Sequence, residues 1–185
     1  MRIRFCAGGG DRHPDRGDGD RVVDAQPDVL SISIDSLSHI SCNGLYDGSI
    51  NVSTTGGTLP YSYNWTYPSG YISSNEDING LFLGAYFLLV TDTNNCYDSL
   101  SVNITEPSIL SATYNTVDVS CHGGNDGFIN GTISGGVGPY SFLWNDSITQ
   151  QNRNNITAGS YFVDVTDLNG CTYPRIYFTI TQPIA

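Results

Sequence analysis

The fold of this chain is decided by residues 84–96, GAYFLLVTDTNNC, which return as residues 159–171, GSYFVDVTDLNGC. In the first stretch Tyr86, Leu88 and Val90 occupy every second position, so their side chains lie on the same face of a strand. This is the period of a strand with one buried face. The Asp and Asn residues that follow favour turns. Each stretch therefore predicts a long β-strand that ends in a turn just before a cysteine.

The repetition extends over most of the chain. Matching residues of the two copies lie 79 positions apart as far as Trp65 and Trp144. Beyond the tryptophans they lie 75 positions apart, because one loop of the second copy is four residues shorter. The ordered matches include Cys42 with Cys121, Asp47-Gly48 with Asp126-Gly127, Pro60-Tyr61-Ser62 with Pro139-Tyr140-Ser141, Trp65 with Trp144, and Cys96 with Cys171. The sequence is a duplication, with an atypical Arg/Asp/Gly-rich extension over residues 1–27 and repeats over 28–107 and 108–185.

Other short segments of each copy also predict strands. Tyr, Thr, Val and Ile suit pleated surfaces, while Asp-Gly and paired Gly residues supply the positive φ angles of tight turns. Six or seven short strands in about 80 residues, with one Trp and two Cys, are typical of an immunoglobulin-like sandwich. We predict an all-β chain of two tandem Ig-like β-sandwich domains with essentially no helix. Because the repeats meet at a Pro with almost no linker, as if cut from a longer array, we expect a stiff rod.

The charge of the chain is strongly negative. Its formal net charge is −11, it contains no Lys, and from Pro27 onward only Arg153 and Arg175 oppose the acidic residues. Such a surface repels phosphate backbones and anionic membranes. We therefore expect no nucleic-acid partner, and the lack of a long apolar stretch predicts no membrane insertion.

Four of the five cysteines recur at equivalent positions in the two copies. The copied pattern makes Cys42–Cys96 and Cys121–Cys171 the economical disulfide pairs, each closing a loop of about 50 residues. Each bond would contribute roughly 4 kcal/mol on the chain-entropy model and would indicate an oxidising compartment. Free thiols and a metal site are the alternatives, and Cys6 has no counterpart.

The recurring tryptophans have two interpretations, and two recurring tyrosines have one. Trp65 and Trp144 follow alternating Tyr or Phe residues within strands, where a sandwich buries its central aromatic, although an exposed Trp could instead form a carbohydrate platform. Tyr86 and Tyr161 each lie two residues after a Gly at a strand start. We predict structural core roles for all four.

The string C-x-G-x-x-D-G-x-I, then G-G-x-x-P-Y-x-x-x-W, then G-x-Y-x-x-x-V-T-D-x-N-x-C, then I-T-x-P resembles the SprB-type repeat of large Bacteroidota surface adhesins. It runs from Cys42 to Pro107 and again from Cys121 to Pro183, with Asn95 standing where the usual Gly is seen as Gly170. The resemblance implies an extracellular repeat module displayed on the cell surface, with a role in adhesion or surface movement and no active site.

Motifs of the common enzyme classes are missing from the sequence, so we expect no catalytic residue, no cofactor and no enzyme activity. The recurring carboxylates Asp47, Asp92, Asp126 and Asp167 are interpreted as turn residues, because Asp before Gly or near Asn stabilises turns. The alternative is that they bind Ca²⁺, although the EF-hand ligand spacing is absent.

Three Asp-Ser-apolar triplets match the O-glycosylation acceptor of Bacteroidota. They place candidate glycans on Ser36, Ser99 and Ser147. We predict a glycan on at least one of them.

These features leave three functions open. The first is a rod-like scaffold and adhesion module of a surface adhesin, the second a subunit of an extracellular fibre joined head to tail by β-strand donation, and the third a carbohydrate-binding module. Residues 1–27 are either an artefact of the gene start or the donated segment. Expected partners are neighbouring repeats, copies of the chain, or extracellular polysaccharide.

Overall fold

The computed structural model describes residues 28–67, 70 and 72–185, so the predictions for the extension at 1–27, including Cys6, lie outside the described residues. The described residues form thirteen strands and no helix, which confirms the predicted all-β class. Accordingly, this part of the chain has no helix that could cross a membrane.

The chain divides into two compact units. The first contains residues up to Ile40 and Tyr46–Thr105, and the second contains Ser41–Leu45 and Glu106–Ala185. The first unit has β1 (Ser31–Ser38), β2 (Gly48–Thr55), β3 (Ser62–Thr66), β4 (Ile72–Ser73), β5 (Ile78–Leu81), β6 (Gly84–Thr91) and β7 (Tyr97–Ile104). The second has β8 (Ser111–Val117), β9 (Gly127–Ser134), β10 (Ser141–Trp144), β11 (Arg153–Ile156), β12 (Gly159–Thr166) and β13 (Thr172–Ile180).

The first unit is a sandwich of two antiparallel sheets. Their strand orders are β1-β2-β5 and β4-β3-β6-β7. Alternating apolar side chains from both sheets meet in one core, as the strand period requires. The largest fully buried side chains of this core are Trp65, Leu30, Ile32, Ile50, Leu81, Leu88 and Ile104.

The second unit repeats this architecture with strand orders β11-β9-β8 and β10-β12-β13. Its buried core contains Val119, Ile129, Phe142, Trp144, Ile156, Val163, Val165 and Ile180. Both units are therefore Ig-like sandwiches, as the sequence predicted.

The second core differs from the first around Gly131. This residue takes the place of Val52, and the ring of Tyr114, its partner in the β8–β9 register, lies where a Cβ on Gly131 would be, 2.4 Å from the nearest ring atom. The Tyr114 ring also packs against Trp144 and Phe178, with ring centroids 6.3 and 5.2 Å away. An aromatic ring on β8 thus fills the volume that an aliphatic side chain fills in the first unit.

Candidate functional site: the cysteine joint of the second unit

The turn after β12 is held by one carboxylate. Asp167 is 5% exposed, and its Oδ1 accepts hydrogen bonds from the backbone N–H groups of Asn169 and Cys171, both at 2.9 Å. Its Oδ2 accepts the N–H of Val137 at 2.8 Å. Three backbone donors on two loops are satisfied by a single side chain, which fixes the backbone at Cys171.

Paired glycines make room for this carboxylate. A Cβ on Gly136 would lie 2.7 Å from Asp167 Oδ2, and one on Gly135 would lie 1.9 Å from the carbonyl oxygen of Ile109. Both glycines have positive φ, +59° at Gly136 and +70° at Gly135, which an L side chain rarely adopts. The Gly-Gly and Asp-x-Asn-x-Cys motifs therefore belong to one structural feature, although 30 residues separate Val137 from Asp167.

The first unit contains the same arrangement around Asp92. Its carboxylate accepts hydrogen bonds from the N–H groups of Thr58 at 2.9 Å and of Asn94 and Cys96 at 2.8 Å. Burial by itself would raise the pKa of the Asp92 carboxyl, but these amide donors outweigh it, so the pKa lies below the ordinary value. The turn interpretation of Asp92 and Asp167 thus has a specific geometry.

Residues 41–45 take part in the second unit through polar contacts. The Asn43 side chain donates to the carbonyl oxygen of Pro107 at 3.0 Å, and the N–H of Gly44 donates to Glu106 Oε2 at 2.8 Å. Asn169, from the turn after β12, donates through Nδ2 to the carbonyl oxygen of Ser41 at 2.8 Å. These bonds bring the 41–45 loop against the Asp167 turn.

A disulfide joins the loop of residues 41–45 to the turn held by Asp167. We call these two linked segments the cysteine joint. Cys42 is bonded to Cys171, with their Cα atoms 5.7 Å apart at a sequence separation of 129. The expected pairs Cys42–Cys96 and Cys121–Cys171 are not formed, because residues 41–45 pack within the second unit and carry Cys42 to its cysteine turn. Cys121 is an exposed thiol, and the Cys96 side chain hydrogen-bonds to Asp92.

The tryptophans lie inside the cores, which is incompatible with a ligand platform. Trp65 is 0% exposed and Trp144 is 1% exposed, and their Nε1 atoms donate to the carbonyl oxygens of Glu76 and Gln150. The buried rings thus keep their polar atoms hydrogen-bonded, as a core position requires.

The tyrosines Tyr86 and Tyr161 make one and the same backbone contact. Each hydroxyl donates to the carbonyl oxygen four residues earlier, in Phe82 at 3.1 Å and in Thr157 at 2.9 Å. Tyr86 is buried, whereas Tyr161 is only partly buried beside its core. These bonds tie the start of β6 and β12 to the preceding loop.

The remaining predicted residues lie apart from the joint. Asp126 accepts the N–H of Ser120 at 2.9 Å, and hydrogen bonds from Ser120 hold the pKa of Asp126 below its ordinary value. Across the described ranges, no three His, Cys, Asp or Glu side chains cluster to hold a metal ion. Of the candidate glycosylation residues, Ser36 and Ser147 are exposed, but Ser99 is 8% exposed within β7.

Two hydrogen-bonded carboxylates, of which only Asp98 is buried, were missed by sequence reasoning. Asp98 is 0% exposed and accepts the N–H groups of Ile32 and Ser99 at 3.0 and 2.9 Å, so it connects β7 to β1. Asp77 accepts the N–H of Val52 at 2.9 Å. Neither has an equivalent Asp in the second copy, so the repeat pattern gave no signal for them.

The fold and the cysteine turns define a tandem Ig-like repeat module. More particularly, the family model of the SprB repeat matches residues 35–70 and 113–149, which confirms the resemblance to the SprB repeat at two places along the chain. A comparison with curated proteins gave no significant match.

Several solved structures are similar over most of this chain. Fibronectin(III)-like modules of CbhA from Clostridium thermocellum are 15% identical over 82% of this chain, with a TM-score of 0.38. The N-terminal eight Ig domains of the Down Syndrome Cell Adhesion Molecule are 12% identical over 84%, with a TM-score of 0.41, and the BSP domain of a biofilm associated protein is 14% identical over 83%, with a TM-score of 0.28. This chain spans 95% of the first of these, 25% of the second and 30% of the third.

Proposed function

We propose that this chain is a non-catalytic, extracellular module of a bacterial surface adhesin or filament, and that its repeats form a scaffold that resists extension. The two SprB repeats support a surface role. The Cys42–Cys171 disulfide supports export, because disulfides persist in oxidising compartments. The proposed module needs no cofactor, and its partners are neighbouring repeats or copies of itself.

The observation that carries this proposal is the span of the disulfide. It closes a covalent loop across a sequence separation of 129 residues, which includes most strands of both units. When the two ends of the chain are pulled, force passes through the disulfide, and the residues inside the loop cannot extend even if they unfold. At 3.3–3.6 Å per residue, the bond withholds roughly 430–460 Å of chain.

Single-molecule force spectroscopy tests this function directly. The full chain is held by handles at its two termini and is stretched first oxidised and then in a thiol reductant. The oxidised chain is expected to lengthen only by the residues outside 42–171, and reduction is expected to release the further roughly 430–460 Å.

The matched control is the double variant Cys42→Ser/Cys171→Ser, which is expected to extend fully without reductant. If the oxidised wild-type chain released the same contour length as this variant, the disulfide would not limit extension and the proposed scaffold would be wrong.

A second candidate function, polysaccharide binding, is favoured by one surface of the second unit. Tyr177 is 72% exposed, its ring centroid lies 5.9 Å from that of Phe162, and the Arg175 guanidinium stacks 4.2 Å from the Phe162 ring. Arg175 also pairs with Asp164 at 2.7 Å, so aromatic and polar groups lie side by side as carbohydrate recognition requires.

A glycan array tests this candidate. Tyr177→Ala is expected to abolish any glycan signal, whereas Val117→Ala, an exposed change on the other sheet, is expected to retain it. An array on which the wild-type chain binds no polysaccharide would remove the candidate.

A further inference from the structure

The loop at residues 120–124 has the same local structure as the loop that carries Cys42. The N–H of Gly124 donates to the carbonyl oxygen of Cys121 at 3.0 Å, as Leu45 does to Cys42 at 3.1 Å. Gly123 has a φ of +73°, close to the +81° of Gly44. The loop around Cys121 is thus already in the conformation seen at the disulfide.

Contacts to the closing motif of the repeat are also reproduced. The N–H of Gly123 donates to Gln182 Oε1 at 2.8 Å, just as the N–H of Gly44 donates to Glu106 Oε2 at 2.8 Å. Immediately before each loop, the N–H of Val119 donates to Thr181 and that of Ile40 to Thr105, at 2.9 and 3.0 Å. Two independent sets of hydrogen bonds therefore hold Cys121 as Cys42 is held.

The turn that receives Cys42 is repeated as well. The N–H of Asp92 donates to the carbonyl oxygen of Cys96 at 2.9 Å, as that of Asp167 does to Cys171 at 3.0 Å. The residue before each cysteine has a positive φ, +61° at Asn95 and +83° at Gly170. Both halves of the cysteine joint are therefore built into both copies of the repeat in this chain.

We propose that Cys121 is a second crosslinking site, which forms a disulfide with the second cysteine of another repeat of this kind, as Cys42 does with Cys171. This inference rests on the proposed function of the chain as a repeat module. Cys121 is exposed, and the Ser120 hydroxyl donates a hydrogen bond to its sulfur at 3.7 Å. The partner is a cysteine in an Asp-x-Asn-x-Cys turn, of which Cys96 is the example in a second copy of this chain.

Formation of the bond needs a disulfide oxidant, for which we name a small-molecule disulfide such as oxidised glutathione. The Cys121 thiolate attacks one glutathione sulfur, and the other glutathione leaves as a thiolate. The partner cysteine thiolate then attacks the Cys121 sulfur and releases the second glutathione thiolate. One protein disulfide forms, one glutathione disulfide is reduced, and the two thiol protons pass to the two glutathiones.

The test uses the full chain with Cys6→Ser, so that the thiol at residue 6 cannot contribute. In a glutathione redox buffer, non-reducing electrophoresis is expected to show a ladder of covalent oligomers that a reductant collapses to monomer. Peptide mapping is expected to find Cys121 linked to Cys96 of another molecule, with the Cys42–Cys171 bond intact. Cys121→Ser and Cys96→Ser are each expected to abolish the ladder, and an equimolar mixture of the two variants is expected to stop at dimers.

Mapping of the native polypeptide from its source distinguishes the two sources of the partner. A Cys121 peptide linked to residues 92–96 and recovered from a covalent oligomer identifies a second copy of this chain, and one linked to another Asp-x-Asn-x-Cys sequence identifies a further repeat. If Cys121 can be fully alkylated in the native polypeptide and the recombinant chain stays monomeric, the inference is overturned. The force measurement on Cys42–Cys171 is unaffected by that outcome, so the proposed function is tested separately.

Discussion

Replacing Asp167 by Asn is expected to destabilise the second unit by about 2.5–6 kcal/mol. The Asn side chain can keep the oxygen that accepts the N–H groups of Asn169 and Cys171, but its amide group replaces the oxygen that accepts the N–H of Val137. One charge-assisted hydrogen bond, about 1.5–3 kcal/mol, is lost, and a buried amide donor without a partner adds about 1–3 kcal/mol. For a domain of this size, the midpoint of thermal unfolding should fall by at least roughly 10 °C.

Tryptophan fluorescence can report this change in the second unit alone. In a Trp65→Phe background the remaining tryptophan, Trp144, lies in the core of that unit. The matched control is Asp164→Asn, which removes the exposed ion pair with Arg175 and is expected to leave the midpoint nearly unchanged. A loss below about 1 kcal/mol for Asp167→Asn would refute the reasoning, since it would mean that the carboxylate does not hold the turn.

Three further predictions concern stability, pH and modification. Burial raises the pKa of Tyr114 to about 12, and its hydroxyl has no hydrogen-bond partner, so Tyr114→Phe should raise the free energy of unfolding in urea by about 1 kcal/mol. The pKa of Asp92 is lowered in the folded chain, so the ionised carboxylate stabilises the fold above pH 3.8, and this stabilisation is lost as the pH falls through the lowered pKa. In acid titrations, the difference in stability between wild type and Asp92→Asn should therefore vanish below the lowered pKa. Glycopeptide mapping of the native protein should find glycan on Ser36 or Ser147 and none on Ser99, and glycan on Ser99 alone would contradict the accessibility argument.

The long strands could be predicted because their side chains keep a strict period of two. Leu88 and Val90 are both buried on β6, and Val163 and Val165 are both buried on β12. The Gly-Gly pairs marked turns through their positive φ. The Asp-Gly pairs did not supply positive φ as predicted, because Gly48 and Gly127 begin β2 and β9 and lack space for a Cβ. Where fold signals are local in sequence, reading the sequence was sufficient.

Strand β5 could not be predicted from alternating side chains, because a bulge hides its period. Ile78 and Leu81 are both buried although three positions separate them, an odd spacing for a regular strand. The register with β2 shifts at this point, from Gly48 opposite Leu81 to Ser49 opposite Asn79, and Gly80 has a φ of +66°. The extra residue restores Leu81 to the core side, and no alternation count could reveal it.

The disulfide pairing was wrong for a different reason. A duplicated sequence repeats the first and second cysteines with similar spacings, so pairing within each copy and pairing between successive copies have the same signature. The choice depends on where the loop of residues 41–45 packs, which is decided by hydrogen bonds of Asn43, Gly44 and Asn169. Those contacts are long-range, and the residues that make them are unremarkable in the sequence.

The span of the observed disulfide favours a mechanical role over a purely stabilising one. On the chain-entropy model a bond across 129 residues stabilises by only about 0.8 kcal/mol more than a bond across about 50, so two bonds inside the copies would contribute more than one long bond. The length of chain withheld from extension grows in direct proportion to the number of residues enclosed, and the long bond encloses more of them than both short loops together. If Cys121 makes the same bond to another repeat, a second covalent loop overlaps the first, and it withholds a further length of chain from extension in proportion to the residues that it encloses.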